Sequence, residues 1–290
     1  MTKRAGHRTI ALAFVCVASL AQPDHARAQA NEPTIELIDP QVLRVCADPH
    51  NLPFSNEQGE GFENKLAEML AAKLGKKLAY TFFPQATGFV RMTLGAHKCD
   101  VIIGFPQGDE LVQNTNPYYR TAYALVVKAG AGLDDVDKLS DERLKGKRIG
   151  IVAGTPPATY LAMNGLLGQV RPYHLMIDTR VDSSAVSMMQ DLEKDAIDAG
   201  VLWGPMAGFY AKQAKTPVRV TPLLKETGGP RLVFRMTMGV RAADQNWKRT
   251  LNRFIQENQP EINKLLIGFG VPLLDERDQP ITEQTLTKRP

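Results

Sequence analysis

The sequence predicts an α/β protein of two lobes, each a mostly parallel sheet flanked by helices, with two strands crossing between the lobes. Strand and helix signals alternate along the chain, the mark of parallel strands joined by crossover helices. Some strands are continuous apolar runs, such as Val101-Ile102-Ile103, as burial on both faces requires. After Pro117 the pattern changes and a second strand–helix series begins, giving two units of about 90–110 residues, a normal domain size.

Taken in order, residues 42–47 are a short β-branched run that stops at Asp48-Pro49. Phe62, Leu66, Met69, Leu70 and Leu74 recur at helical spacing and end before Gly75, a natural terminator. Residues 78–83 read as the next strand, 89–96 as a helix and 101–103 as a buried strand. The second series follows an apolar strand at 123–128. It has a strand at 148–152, a helix at 156–165, a strand near 175–177, a helix at 185–194, and strands at 200–203 and 218–221. The last strand is 234–240. Trp247, Leu251, Phe254, Ile255, Ile262 and Leu266 then mark an apolar helical face on either side of Pro260, and 275–290 reads as a polar, mobile tail. The first lobe is expected to be 29–125 plus 235–290, the second 126–234, with a ligand cleft between them.

The chain has 290 residues, 43% hydrophobic and 23% charged, which excludes a disordered or collagen-like protein. Its formal charge of +4 invites a nucleic-acid or membrane-surface partner. The first residues remove that invitation. Lys3, Arg4 and Arg8 precede an apolar run at 10–21, and Ala26-Arg27-Ala28 supplies small residues at both cleavage positions. This is the three-part build of a secretory signal peptide, cleaved after Ala28, and its apolar run is too short to span a membrane. The remaining 262 residues hold 31 basic and 30 acidic side chains, with no basic patch for phosphates. The expectation is a periplasmic chain with no membrane span and no nucleic-acid partner. Cys46 and Cys99 are the two cysteines left, most simply a disulfide in an oxidising compartment, with a free buried pair as the alternative.

The arrangement resembles the type II periplasmic solute-binding proteins over nearly the whole mature chain. The segments that carry the likeness are LRVCADPHNLPFS at 43–55, GFENKLAEMLAAKLGKKLAYTF at 61–82, CDVIIG at 99–104, NPYYRTAYALVV at 116–127, LKGKRIGIVAGTPPATYL at 144–161 and AIDAGVLWGPMAGFYAK at 196–212. Amino-acid-binding members clamp the ligand carboxylate with an arginine and its amino group with an aspartate. The matching positions here are Leu111 and Trp203, and a bidentate arginine has no apolar substitute. The cysteine in VCADP, the GEGFENK helix opening, the cysteine before DVIIG and the NPYYR segment are similar to the MxaJ/XoxJ type, associated with periplasmic quinoprotein (methanol) dehydrogenases. That resemblance implies a non-catalytic partner or maturation factor for a dehydrogenase carrying pyrroloquinoline quinone and a metal.

Candidate cleft residues follow from position. Asp48, His50 and Asn51 lie just past the first strand's carboxyl end, where α/β sheets place ligands, although such residues also satisfy their own loop. Thr155 precedes Pro156 at a helix start and can cap it. Trp203, Phe209 and Tyr210 are aromatic candidates for the cleft or a partner surface, and Arg120 lies with Tyr118 and Tyr119 near the first crossing. The histidines are scattered and no HExxH, paired CxxC, GxSxG or phosphate loop occurs, so no metal, catalytic residue or cofactor is expected. Two rival functions remain: a receptor of an importer for a small solute other than an amino acid, and a dehydratase-like enzyme using Glu57, Glu60 or Asp109 as acid or base.

Overall fold

The computed structural model describes Thr2, residues 36–175, Thr179 and residues 182–287; apart from Thr2, the expected signal peptide and its cleavage site lie outside the described residues. Residues Ile35–Pro290 form one compact unit. Its first series is β1 (Val42–Ala47), β2 (His50–Asn51), β3 (Ser55–Asn56), α1 (Phe62–Leu74), β4 (Lys77–Phe82), α2 (Phe89–Met92), β5 (Val101–Pro106) and β6 (Gln113–Asn114). A long β7 (Tyr119–Lys128) leads to β8 (Ile149–Val152), α3 (Pro156–Met163), β9 (Val170–Tyr173), α4 (Ser184–Glu193), β10 (Ala199–Trp203), α5 (Gly204–Gln213) and β11 (Val218–Pro222). The chain returns through β12 (Val233–Val240) and α6 (Gln245–Gly268), and ends in β13 (Leu273–Leu274), β14 (Pro280–Ile281) and α7 (Glu283–Thr287).

The principal sheet runs β4-β1-β5-β12-β7-β10-β8-β9. Two parallel sets, β4-β1-β5 and β10-β8-β9, flank the antiparallel pair β12 and β7. Strand β7 serves both lobes. Residues 119–122 pair with β12, whereas 123–127 pair with β10 and 124–128 with β11. Strand β12 makes the return crossing: Leu232, just before it, packs in the second lobe's core, and Met238 in the first.

The first core joins residues distant in sequence. Leu43, Val45, Leu66 and Val101 meet Trp247, Leu251, Phe254 and Ile262 of α6. The second core, by contrast, is drawn from one continuous stretch, including Leu125, Ile149, Leu161 and Val201. Helix α1 ends as its sequence requires: Gly75 takes φ 63°, which costs glycine nothing, and the N–H groups of Gly75 and Lys76 reach the carbonyls of Ala72 and Ala71.

Two expectations change, and helix α6 runs unbroken through Pro260. The proline removes the N–H that would bond the Gln256 carbonyl, but both residues are exposed on the solvent side of the helix while the apolar face packs on either side. The strand expected near 175–177 is instead β9, parallel to β8 at 170–173; Leu175 lies in an exposed bend, and Met176 and Ile177 are outside the described residues. The polar C-terminus is folded over 273–287, because its acids meet arginines of the sheet: Arg120 pairs with Asp278 at 2.7 Å and Arg235 pairs with Glu276.

Cys46, at the end of β1, is bonded to Cys99, which precedes β5. Both are buried, and the crosslink spans 53 residues. Closing a loop of that length in the unfolded chain corresponds to about 4 kcal/mol in the loop-entropy model. The double variant Cys46→Ala/Cys99→Ala is expected to lose roughly 2–4 kcal/mol of unfolding free energy, measured by urea titration against the oxidised parent.

Candidate functional site: a cleft between the lobes

The carboxyl ends of β1, β5, β8 and β10 open on one cavity of about 550 Å³, as expected of crossover-connected parallel strands. Its apolar wall is set by register. Trp203 of β10 pairs directly with Tyr123 of β7, and Phe234 of β12 stands beside them. The three rings meet edge to face, with centroids 5.1 Å (Tyr123–Trp203), 5.5 Å (Trp203–Phe234) and 6.2 Å (Tyr123–Phe234) apart. The Arg231 guanidinium lies 4.5 Å above the Phe234 ring. Burial pushes the Tyr123 hydroxyl up to about 12, so it stays a neutral donor throughout the working pH range.

The polar wall is built around Asp48. Its carboxylate accepts the N–H of His50 at 2.8 Å and of Gln85 at 2.6 Å, tying the β2–β3 turn to the segment after β4. Ser55 donates its hydroxyl to the Asp48 carbonyl at 2.8 Å, and the Asn51 amide reaches Gln85 at 3.1 Å. Among the described residues two bonds cross the cleft: the Thr179 hydroxyl reaches Asp48 Oδ1 at 3.4 Å, and the Tyr210 hydroxyl donates to the Leu52 carbonyl at 3.1 Å. Asp48 is thus a brace for the rim, with both oxygens already engaged.

Among the sequence candidates, Asp48, His50, Asn51, Thr155 and Trp203 line this cavity. Arg120 does not. It faces the C-terminal segment, donating to the Asp275 carbonyl at 2.7 Å as well as pairing with Asp278. Thr155 also differs from expectation: its hydroxyl donates to the Val152 carbonyl at 2.6 Å and makes no cap bond to α3, and the two prolines that open α3 supply no N–H. Tyr210 lines the cavity, whereas Phe209 turns away and stacks on Phe269. Tyr123, Phe234, Gln85 and His174 are lining residues that position alone did not single out, since each depends on strand register or on loops brought together by the fold. Glu57, Glu60 and Asp109 are not among the lining residues. Among the described residues, Asp48 is the sole acid of the lining, no lysine or arginine lines it, and no cluster of three or more metal-type ligands occurs.

A second feature lies next to Asp48. Glu63, in the first turn of α1, is buried, and one of its carboxyl oxygens lies over Gly104 of β5, where a Cβ would come within 1.9 Å. Burial, reinforced by the Asp48 charge, pushes its carboxyl up to about 8. Tyr118 and Tyr119 contribute to the same neighbourhood, and burial keeps both phenols neutral. An acid raised in the folded state is neutral without cost below the unfolded value of about 4.5, and its stability contribution is lost as pH climbs from there through about 8. Glu63→Gln is therefore expected to be more stable than the parent at pH 8.5, by roughly 2 kcal/mol or more, with the difference vanishing near pH 4.5; paired urea titrations at the two pH values measure it. Equal stability at both pH values would contradict the buried neutral acid.

The comparisons with known proteins agree with this geometry. The model of the bacterial extracellular solute-binding proteins, family 3, matches residues 43–266. Protein MoxJ of Methylorubrum extorquens is 30% identical over 278 residues, 91% of each chain. The crystal structure of periplasmic binding protein XoxJ from Methylobacterium extorquens AM1 is 43% identical and superposes with a TM-score of 0.70, over 81% of this chain and 100% of that one. The structure of MxaJ from Methlophaga aminisulfidivorans MPT is 28% identical, with a TM-score of 0.69 over 80% of this chain and 100% of that one. No helix among the described residues is long and apolar enough to cross a membrane. The family match and the two-lobed sheet with its cleft lead to one assignment: this chain belongs to the bacterial extracellular solute-binding proteins, family 3.

Proposed function

We propose that this protein is exported to the periplasm, with its signal peptide cleaved after Ala28, and assists a quinoprotein (methanol) dehydrogenase without catalysing a reaction itself. The observation that carries the reading is the lining of the cleft. The family's fold is present, yet where amino-acid-binding members hold a charged ligand this chain presents an aromatic wall, and the described lining carries no cation. A free amino acid needs both of its charges matched, because a buried unpaired charge costs several kcal/mol. A segment of a partner protein, with apolar side chains and uncharged backbone groups, matches Trp203, Tyr123 and Phe234 on one wall and His50, Asn51 and Gln85 on the other. Likeness to XoxJ, MxaJ and MoxJ over most of the chain supports the dehydrogenase as that partner.

In this reading Trp203 is an anchor, His50, Asn51 and Thr155 are polar contacts, and Asp48 holds the rim in shape. Large aromatic anchors concentrate binding energy, with losses above 1 kcal/mol on truncation. Trp203→Ala is expected to weaken co-purification with the dehydrogenase about tenfold while the two-lobed fold persists, checked by circular dichroism and quantitative pull-down. A dehydrogenase that is fully active without this protein, and forms no complex with it, would overturn the reading. A cavity of about 550 Å³ also suits a small neutral solute, as an importer receptor would need. A saturable rise in melting temperature with such a solute, together with unchanged dehydrogenase activity, separates that reading from the first.

A further inference from the structure

A second concavity, of about 750 Å³, shares no lining residue with the cleft. Its floor is Met69 of α1, Phe209 of α5, and Leu265 and Phe269 at the end of α6. All four are only part-buried. The rings of Phe209 and Phe269 stack at 6.2 Å with 18° between their planes, which holds two aromatic faces in one platform. Lys212 and Lys264 stand exposed on the rim. Among the described residues neither is in an ion pair; the Lys212 ammonium donates only to the Gly268 carbonyl, at 2.6 Å. The one acid of the groove, Glu261, is taken by Lys73 at 3.4 Å. An apolar floor thus lies beside two lysines that, among the described residues, no acid pairs with.

We propose that this groove docks an acidic amphipathic segment of a partner protein, with apolar side chains on the Phe209–Phe269 platform and carboxylates against Lys212 and Lys264. Charge and shape together select that occupant. Two lysines are too few to track a phosphate backbone, and a flat anionic membrane does not fill a concave aromatic floor. An amphipathic helix in an apolar groove gains from both, the rim charges setting orientation and sign preference. Because α5 packs with the second lobe's strands whereas α1 and α6 build the first core, the bound segment bridges the two lobes. The proposal requires neither the dehydrogenase nor the cleft.

The probe is a synthetic amphipathic peptide of leucine and glutamate, about 18 residues or five helical turns long, with a lysine-for-glutamate peptide as its counterpart. Calorimetric titration into the full mature chain is expected to show binding of the glutamate peptide alone, weakened by salt. Lys212→Glu/Lys264→Glu, both exposed and outside the core, is expected to reduce that affinity at least about tenfold and to admit the lysine peptide, while Lys77→Glu/Lys98→Glu elsewhere on the first lobe leaves it unchanged. Absence of binding by the glutamate peptide, or equal affinity in the parent and the Lys212/Lys264 variant, overturns the proposal. So does a dimeric parent that the same variant converts to a monomer, since the groove would then be filled by a second copy of the chain.

Discussion

Both lobes hang on the antiparallel pairing of β7. One ten-residue strand gives its first part to β12 and the rest to β10 and β11, so the two sheets share a continuous backbone at their junction. The same register brings Tyr123 opposite Trp203 and sets Phe234 beside them. The aromatic wall is therefore a product of pairing, and it is as rigid as the sheet that carries it. Sites built on strands are held more closely than sites built on loops.

The opposite wall is made differently. It consists of short turns whose geometry is fixed by side chains that bond main chain, above all the buried Asp48. Such an arrangement leaves the rim polar, with the carboxylate of Asp48 already engaged by main-chain N–H groups. The bonds that cross the cleft, from Tyr210 and Thr179, are worth about 0.5–1.5 kcal/mol each. They are weak enough for an occupant to displace them and strong enough to bias which lobe arrangement it meets.

Much of this was legible in the sequence, for physical reasons that differ by element. Strands β5 and β10 announce themselves because a strand covered on both faces has to be apolar throughout, and α1 because a helix with one buried stripe must repeat its apolar residues and then stop at glycine. The failures are equally physical. Arg120 is polar and near the crossing, yet its partner Asp278 is 158 residues away, and no local signal links them. Phe209 and Tyr210 are adjacent in a helix and so must face different ways, one to the groove and the other to the cleft. Position located the turn of Asp48, His50 and Asn51, but only the assembled sheet shows Tyr123 and Phe234 opposite it.

The first lobe's core, with Leu43 and Val45 at one end of the sequence and Trp247 to Ile262 at the other, has a consequence for how the chain is made. A chain that emerges amino end first carries half of that core with nothing to cover it until α6 is released. The second lobe, assembled from one continuous stretch, can close earlier. Order of emergence and order of folding therefore run opposite to each other: the lobe that begins first finishes last. Until then its strand edges and apolar faces are open to the wrong partners, and the covalent tie between Cys46 and Cys99 reinforces the β1–β5 pairing that this half can make before its complement arrives.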